Sequence, residues 1–152
     1  MKKNILINIT LSFLFFTFLY SCSDYKFVDE SEFIGTWELM GRNIYSGMVI
    51  KIEKKDNQLV GEVAESPDNI YGELFIKKGD IWISQIKRSA NYYFKVNEAK
   101  IAKELFSTYG LSTDTEYYAT FSEDKKSIYL STERPNINVK ESRIFYKKIS
   151  GR

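Results

Sequence analysis

The chain has 152 residues, with 22 Lys and Arg against 20 Asp and Glu, no His and one Cys. A chain of this length folds as one domain of ordinary size. The absence of His excludes an imidazole general base, a Ser-His-Asp triad and a His-based metal site. A single Cys excludes an intrachain disulfide and a Cys-cluster zinc or iron–sulfur site, so we expect neither a metal nor a cofactor.

A short apolar segment lies near the start of the chain. Lys2 and Lys3 precede the run 5–20, which is almost wholly apolar. A helix over this run spans about 24 Å, less than the roughly 30 Å hydrocarbon core of a bilayer. A basic start, a short apolar run and a small residue at its end are typical of a secretory signal. We therefore predict that residues 1–21 are a signal peptide; the alternative is an uncleaved anchor helix.

The end of this run, Leu19-Tyr20-Ser21-Cys22, resembles the lipobox of bacterial lipoproteins. In that family a Leu stands three positions before the Cys and a small residue directly before it, and the Cys is acylated. The resemblance implies that Cys22 is lipidated and anchors the protein to a membrane of the bacterial cell envelope; the alternative is an incidental thiol. Ser23 stands where an inner-membrane retention signal would have Asp, which favours the outer membrane, on its periplasmic or surface face.

Cleavage would leave a mature chain of balanced charge. Lys2 and Lys3 leave with the signal, so residues 22–152 carry 20 basic and 20 acidic groups. No basic stripe is left that would bind nucleic acid. Residues 22–31 are polar with two isolated aromatic residues, and we predict a flexible tether that holds the following domain, residues 32–152, away from the lipid.

Short runs rich in β-branched and aromatic residues recur from Phe33 onward. Met48, Ile50 and Ile52 occupy every second position, which is typical of antiparallel sheet with one wet face. Turn residues connect successive runs as hairpins. The pattern predicts a mostly β fold, an antiparallel barrel of 8–10 strands. The predicted strands lie near 35–42, 47–54, 58–65, 71–78, 81–87, 91–96, 115–122, 127–132 and 142–149.

One stretch breaks this strand pattern. Asn97 can cap a helix from Glu98 to Tyr109, and Gly110 can end it. Apolar residues recur along this stretch at helical spacing. We therefore predict one short helix inserted near residues 98–109 and packed over a barrel end as a lid; the alternative is a membrane-surface helix.

Both ends of the domain resemble the calycin superfamily, which includes lipocalins and fatty-acid-binding proteins. Phe33-Ile34-Gly35-Thr36-Trp37-Glu38-Leu39 is similar to the Gly-x-Trp opening of that family, and 142–149 is similar to the terminal strand of the fatty-acid-binding branch. In calycins the Trp of the first strand plugs one barrel end and an Arg from a late strand stacks across it. The resemblance implies a lipocalin-like barrel with Trp37 and Arg143 as this closing pair. It implies no ligand residues, because the Arg-x-Tyr of fatty-acid-binding proteins is Arg143-Ile144-Phe145 here.

The sequence favours binding over catalysis. It has no phosphate-cradling glycine loop and no Gly-x-Ser-x-Gly, and a carboxylate-based hydrolase would need two strand carboxylates that converge inside the barrel. Aromatic side chains that line a barrel cavity suit a small apolar ligand, and the candidates are Trp82, Tyr93 and Tyr117. Two alternatives stay open: a barrel filled by its own side chains, and a protein-interaction module, accessory or immunity-type, of an envelope complex.

Overall fold

Eight antiparallel strands follow one another in chain order and close into a barrel, in which the last strand pairs with the first. The structure, a computed structural model, describes residues 27–70, 75–99, 114–135 and 142–149. The mostly β antiparallel barrel predicted from the sequence is confirmed. The strands are β1 Gly35–Met40, β2 Val49–Lys55, β3 Gln58–Glu65, β4 Ile81–Arg88, β5 Tyr93–Ala99, β6 Asp114–Phe121, β7 Ser127–Ser131 and β8 Phe145–Lys148, with short 3-10 helices at Glu30–Phe33 and Asn43–Tyr45.

The turn between β2 and β3 shows why these residues form a hairpin. Asp56 and Asn57 both have positive φ angles, 46° and 64°. A two-residue turn with both angles positive has the right-handed twist of the strands that it joins, and Asp and Asn tolerate this conformation better than most residues. The hairpin predicted between the strands near 47–54 and 58–65 is therefore confirmed.

The apolar side chains that alternate along the predicted strands point into the barrel and form its core. Met48, Ile50 and Ile52 are at most 1% exposed, whereas Lys51 between them is exposed. The same alternation on β5 directs Phe94 and Val96 into the interior. An eight-stranded barrel has an interior just wide enough for such side chains to fill.

Two predicted elements differ in the structure. The predicted strand 71–78 is not formed at 75–78, where Asp80 Oδ2 accepts a hydrogen bond from the Lys77 amide (2.7 Å) and Gly79 turns the chain with a φ of 93°; residues 71–74 lie outside the described residues. β3 pairs directly with β4 instead. Of the predicted helix 98–109, Glu98 and Ala99 belong to β5, together with the predicted cap Asn97, and 100–109 lie outside the described residues.

The segment before β1 closes one end of the barrel, which we call the plugged end. Asp29 caps the first 3-10 helix by accepting from the Ser31 amide (2.8 Å). Val28 is 8% exposed and Phe33 is fully buried, with its ring 4.7 Å from that of Phe94 and 4.6 Å from that of Phe121. Val28, in the predicted tether, is therefore packed against the barrel, whereas residues 29–31 are exposed in the cap and first turn of the 3-10 helix. Residues 22–26 of the predicted tether lie outside the described residues.

No helix within the described ranges has the length and apolarity needed to cross a membrane.

Candidate functional site

Trp37 closes the plugged end with a different cation from the predicted one. Its indole is fully buried and donates from Nε1 to the Phe33 carbonyl oxygen (2.7 Å). The register of β1 and β8 places Lys148 opposite Trp37, and Lys148 Nζ lies 5.1 Å from the ring centroid. The pairing of Trp37 with Arg143 is therefore wrong. Arg143 lies five residues before Lys148 in the sequence and is exposed. Its backbone lies beside Gly41, just beyond the other end of β1, so close that a Cβ on Gly41 would be 1.7 Å from the Arg143 carbonyl oxygen.

A buried carboxylate lies at that far end, which we call the Arg42 end. Glu98 is 3% exposed, and no other charged residue in the described part of the chain is buried to this extent. Its Oε2 accepts from Arg42 Nη1 and its Oε1 accepts from the Tyr146 hydroxyl. Both carboxylate oxygens of Glu98 are therefore engaged by donors, one of them the charged guanidinium of Arg42.

The partners of Glu98 extend this network across the barrel interior. Tyr146 on β8 is 1% exposed and accepts from Trp82 Nε1 on β4 (2.9 Å) while it donates to Glu98 on β5. Side chains thereby join β8 to β4 and β5, two strands with which its backbone does not pair. Such a network orients the Trp82 ring as well as the carboxylate.

Arg42 covers this network from the connection between β1 and β2. Its guanidinium carbon lies 5.8 Å from the Trp82 ring centroid and 5.0 Å from that of Tyr117, while the Tyr45 ring is 5.2 Å from that of Trp82. The Arg42 side chain is 17% exposed. Its Nη2 is buried and has no hydrogen-bond partner among the described residues. A buried N–H without an acceptor costs roughly 1–3 kcal/mol, so this atom favours an added oxygen.

The environment shifts the protonation of these groups in a consistent way. Burial by itself would lower the pKa of the Arg42 guanidinium, but the Glu98 carboxylate outweighs it and raises that pKa. Burial, and then the negative charge of Glu98, raise the pKa of the Tyr146 hydroxyl well above its ordinary value. Burial also raises the pKa of Tyr117. At neutral pH the Arg42 guanidinium is therefore positively charged, and the hydroxyls of Tyr146 and Tyr117 are protonated.

The structure brings together two of the three predicted ligand residues. Trp82 and Tyr117 both contact Arg42. Tyr93 is 3% exposed but lies outside the core cluster that contains Phe94; Arg134 Nε donates to its hydroxyl (2.9 Å), and the Tyr118 ring lies 5.9 Å from its own. The prediction of Tyr93 as a lining residue is therefore wrong, because alternation on β5 sends Phe94 inward and its neighbour outward.

Arg42, Glu98 and Tyr146 are members of this site that the sequence analysis missed. The signal for Glu98 was present, since it continues the inward series of Phe94 and Val96 at every second position. The prediction ended the strand at residue 96 and began a helix at 98, so the alternation was not carried to Glu98. Arg42 lies in a connection, where no period indicates the direction of a side chain.

Two grooves of the described surface lie away from this cluster. One, of about 600 Å³, adjoins the plugged end, and the other, of about 550 Å³, follows the end of β6; Trp82, Tyr93 and Tyr117 line neither. Glu62 and Glu116, two of the strand carboxylates, lie partly exposed in ion pairs with Lys55 and Lys95. In the described ranges, no group of three or more His, Cys, Asp and Glu is arranged to hold a metal ion.

No family model matches the chain, and no curated protein or solved structure compared with it shows significant similarity.

Proposed function

We propose that this protein is a lipoprotein of the bacterial cell envelope whose lipocalin-like barrel binds a small, largely apolar ligand without catalysis. The ligand would enter at the Arg42 end, with one acceptor oxygen on Arg42 and its apolar body beside Trp82 and Tyr117. The observation that carries this proposal is the buried Nη2 of Arg42, which lacks a partner among the described residues.

The physical case rests on the cost of the Arg42–Glu98 pair. Desolvating two charges costs several kcal/mol for each ion, and a well-packed apolar pair in their place is often neutral or stabilising. Packing of the barrel therefore does not explain a buried guanidinium and carboxylate. A ligand oxygen that accepted from Nη2 would recover the unmet hydrogen bond, and a charge-assisted bond of this kind is stronger than a neutral one.

Binding without chemistry fits the same groups. Glu98 is occupied by two donors, and the raised pKa of Tyr146 keeps its hydroxyl protonated. Neither is poised to take a proton from a substrate. The cluster supplies a donor and aromatic faces, which recognise a ligand and do not transform it.

Native mass spectrometry of the full chain purified from its own host tests the proposal. We expect a co-purified small molecule on the unmodified protein, its loss from Arg42→Met, and its retention by Lys95→Met. Lys95 is a matched control, because it also pairs with a Glu and lies over a tyrosine ring, but on the outside of the barrel. Tyr117→Leu keeps the Arg42–Glu98 pair and serves if Arg42→Met does not fold. A protein that carries no added mass, or an Arg42→Met variant that carries the same mass, contradicts the proposal.

The anchor is tested separately. We propose that Cys22 is acylated and holds the chain in the outer membrane. Acyl chains contribute about 0.8 kcal/mol for each buried methylene, so several chains anchor a protein stably. Cys22→Ser should move the protein from the membrane to the soluble fraction; a variant that still floats with membranes refutes acylation as the anchor.

A protein-interaction module is the second candidate, and exposed apolar side chains favour it. Ile44, Ile70, Phe75 and Ile81 are 42–76% exposed and lie on the connections and strand start at the Arg42 end. The Asn69 side-chain amide donates to the Ile44 carbonyl oxygen (2.8 Å) and joins two of these connections. A photocrosslinker at position 75 should capture one envelope protein that the same group at position 34, at the plugged end, does not; equal capture from both positions contradicts this function.

A further inference from the structure

The groove of about 600 Å³ lies at the plugged end, between the segment before β1 and the adjacent ends of β2, β3 and β4. Apolar side chains of Ile34, Leu59 and Ile86 form part of its lining; Ile34 is 43% exposed, whereas Leu59 and Ile86 are buried. Cations stand on the same lining. They are Lys54, Lys87 and Arg88. The groove thus combines apolar surface with positive charge, which suits an amphipathic anion.

Two of these cations are available to a ligand. Lys54 and Lys87 are exposed, and neither has a carboxylate partner within the described ranges. The pairing register connects their strands through β3, since Lys54 lies opposite Leu59 and Leu59 lies opposite Ile86, the neighbour of Lys87. Because Lys87 follows Ile86 along β4, its side chain starts from the opposite face of the sheet to that of Lys54, and both lysines line the groove at the barrel rim.

The carboxylates on the groove are already engaged. Asp29 caps the 3-10 helix through the Ser31 amide, and this hydrogen bond lowers its pKa. Glu30 Oε1 lies 3.8 Å from Arg88 Nε. The ion pair with Arg88 offsets the charge of Glu30, whereas Asp29 keeps its negative charge. The lining therefore carries three cations and two carboxylates, and Lys54 and Lys87 are its cations without a carboxylate partner in the described ranges.

The length of chain between the groove and the anchor places the groove at the membrane. Four residues lie between Cys22 and Phe27, and an extended chain covers at most about 18 Å over these five Cα–Cα steps. Arg88 lies over the Phe27 ring (4.3 Å) and also lines the groove. Phe27 is itself 60% exposed. This step rests on the proposed anchor: a chain held at Cys22 has this end of its barrel beside the lipid headgroups.

We propose that the groove binds the headgroup of an anionic phospholipid in the membrane that holds the anchor. The phosphate accepts from the Lys54 and Lys87 ammonium groups, and the glycerol and first acyl carbons contact Ile34, the exposed apolar side chain of the lining. The apolar lining distinguishes a lipid from free phosphate, which has no apolar part to bury. The barrel then stands with its plugged end on the bilayer and its Arg42 end directed away from it.

Hydrogen exchange of the full chain in lipid nanodiscs tests this groove. Discs of phosphatidylcholine alone are compared with discs that contain increasing phosphatidylglycerol, and the backbone amides of 54–59 and 85–88 are followed. We expect phosphatidylglycerol to slow their exchange. Each lysine near an anionic surface strengthens association about fivefold, so Lys54→Glu with Lys87→Glu should weaken the effect at least about twentyfold. Lys77→Glu with Lys78→Glu, at the Arg42 end, is the matched control and should behave as the unmodified chain.

Each other outcome overturns the proposal in a recognisable way. Equal protection in phosphatidylcholine discs, or no effect of the Lys54 and Lys87 changes, refutes the anionic-lipid groove. Inorganic phosphate that protects the same amides in phosphatidylcholine discs refutes the lipid as the ligand. The intact mass of the protein shows independently whether the chain is acylated. A chain that stays in the disc without acyl groups refutes only the proposal that Cys22 is the anchor. A chain that leaves the disc refutes the anchor and, with it, the placement of the groove.

Discussion

Replacing Glu98 by Leu should destabilise the barrel strongly, and replacing Arg42 as well should restore it. In Glu98→Leu the Arg42 guanidinium loses its carboxylate and the buried Tyr146 hydroxyl loses its acceptor. Breaking a fully buried pair costs about 3–5 kcal/mol; because Arg42 keeps some contact with solvent, we expect about 2–3 kcal/mol. Glu98→Leu with Arg42→Met removes both charges but still leaves the Tyr146 hydroxyl without an acceptor. Its free energy of unfolding should therefore lie about 1 kcal/mol below that of the unmodified protein and above that of Glu98→Leu.

Urea unfolding, followed by tryptophan fluorescence and circular dichroism, measures the four free energies of this double-mutant cycle. The ion pair of Lys95 and Glu116 on the barrel surface, the outer pair, provides a matched double-mutant cycle. Lys95 Nζ lies 2.7 Å from Glu116 Oε1, and the two side chains are 36% and 49% exposed, so solvent screens their attraction. The outer cycle should show much the smaller coupling. Additive effects in the inner cycle, or equal coupling in both cycles, would refute the reasoning that the Arg42–Glu98 pair is held by mutual compensation inside the barrel.

Further predictions concern a phenol, a cation and the N-terminal segment. Folding raises the pKa of the Tyr146 hydroxyl, so this group contributes its full stabilisation below its unfolded pKa, which is near 10. Above that pH the contribution falls, by up to about 1.4 kcal/mol per pH unit. The free energy of unfolding should therefore decrease more steeply with alkaline pH in the unmodified protein than in Tyr146→Phe. Lys148→Met should cost about 0.5–1 kcal/mol in urea unfolding, whereas an equal loss in Arg143→Met would contradict the observed cation over the indole. Phe33→Ala should cost about 3–5 kcal/mol and Phe27→Ala far less; similar thermal midpoints for the two would show that the segment before β1 is not part of the core.

Local chemistry makes the strands and hairpins of this barrel predictable from the amino-acid sequence. The alternation of Met48, Ile50 and Ile52 depends on the geometry of a strand, in which successive side chains point to opposite faces. The turn at 56–57 depends on residues that tolerate positive φ. Both signals act within a few residues, so one sequence is enough to carry them.

The strand register explains why the partner of Trp37 could not be predicted. The sequence indicated an indole on the first strand, but the predicted last strand, 142–149, contains three cations, Arg143, Lys147 and Lys148. Only the pairing of β1 with β8 selects Lys148, because a shift of a few residues changes which side chain lies opposite. The burial of Val28 could not be predicted for a related reason: it stands in a polar stretch, and its burial depends on a barrel end formed by distant strands.

The sequence by itself determined the balance of charge, the absence of imidazole chemistry, the strand periodicity and the antiparallel order, since each depends on composition or on neighbours along the chain. The tertiary structure alone decided that Arg42, Glu98, Tyr146 and Trp82 form one buried network from four separate parts of the chain. It also decided which end is plugged and that two free lysines flank the groove beside it. Such juxtapositions arise only when the barrel closes, because closure sets which distant residues share the interior and which share a rim.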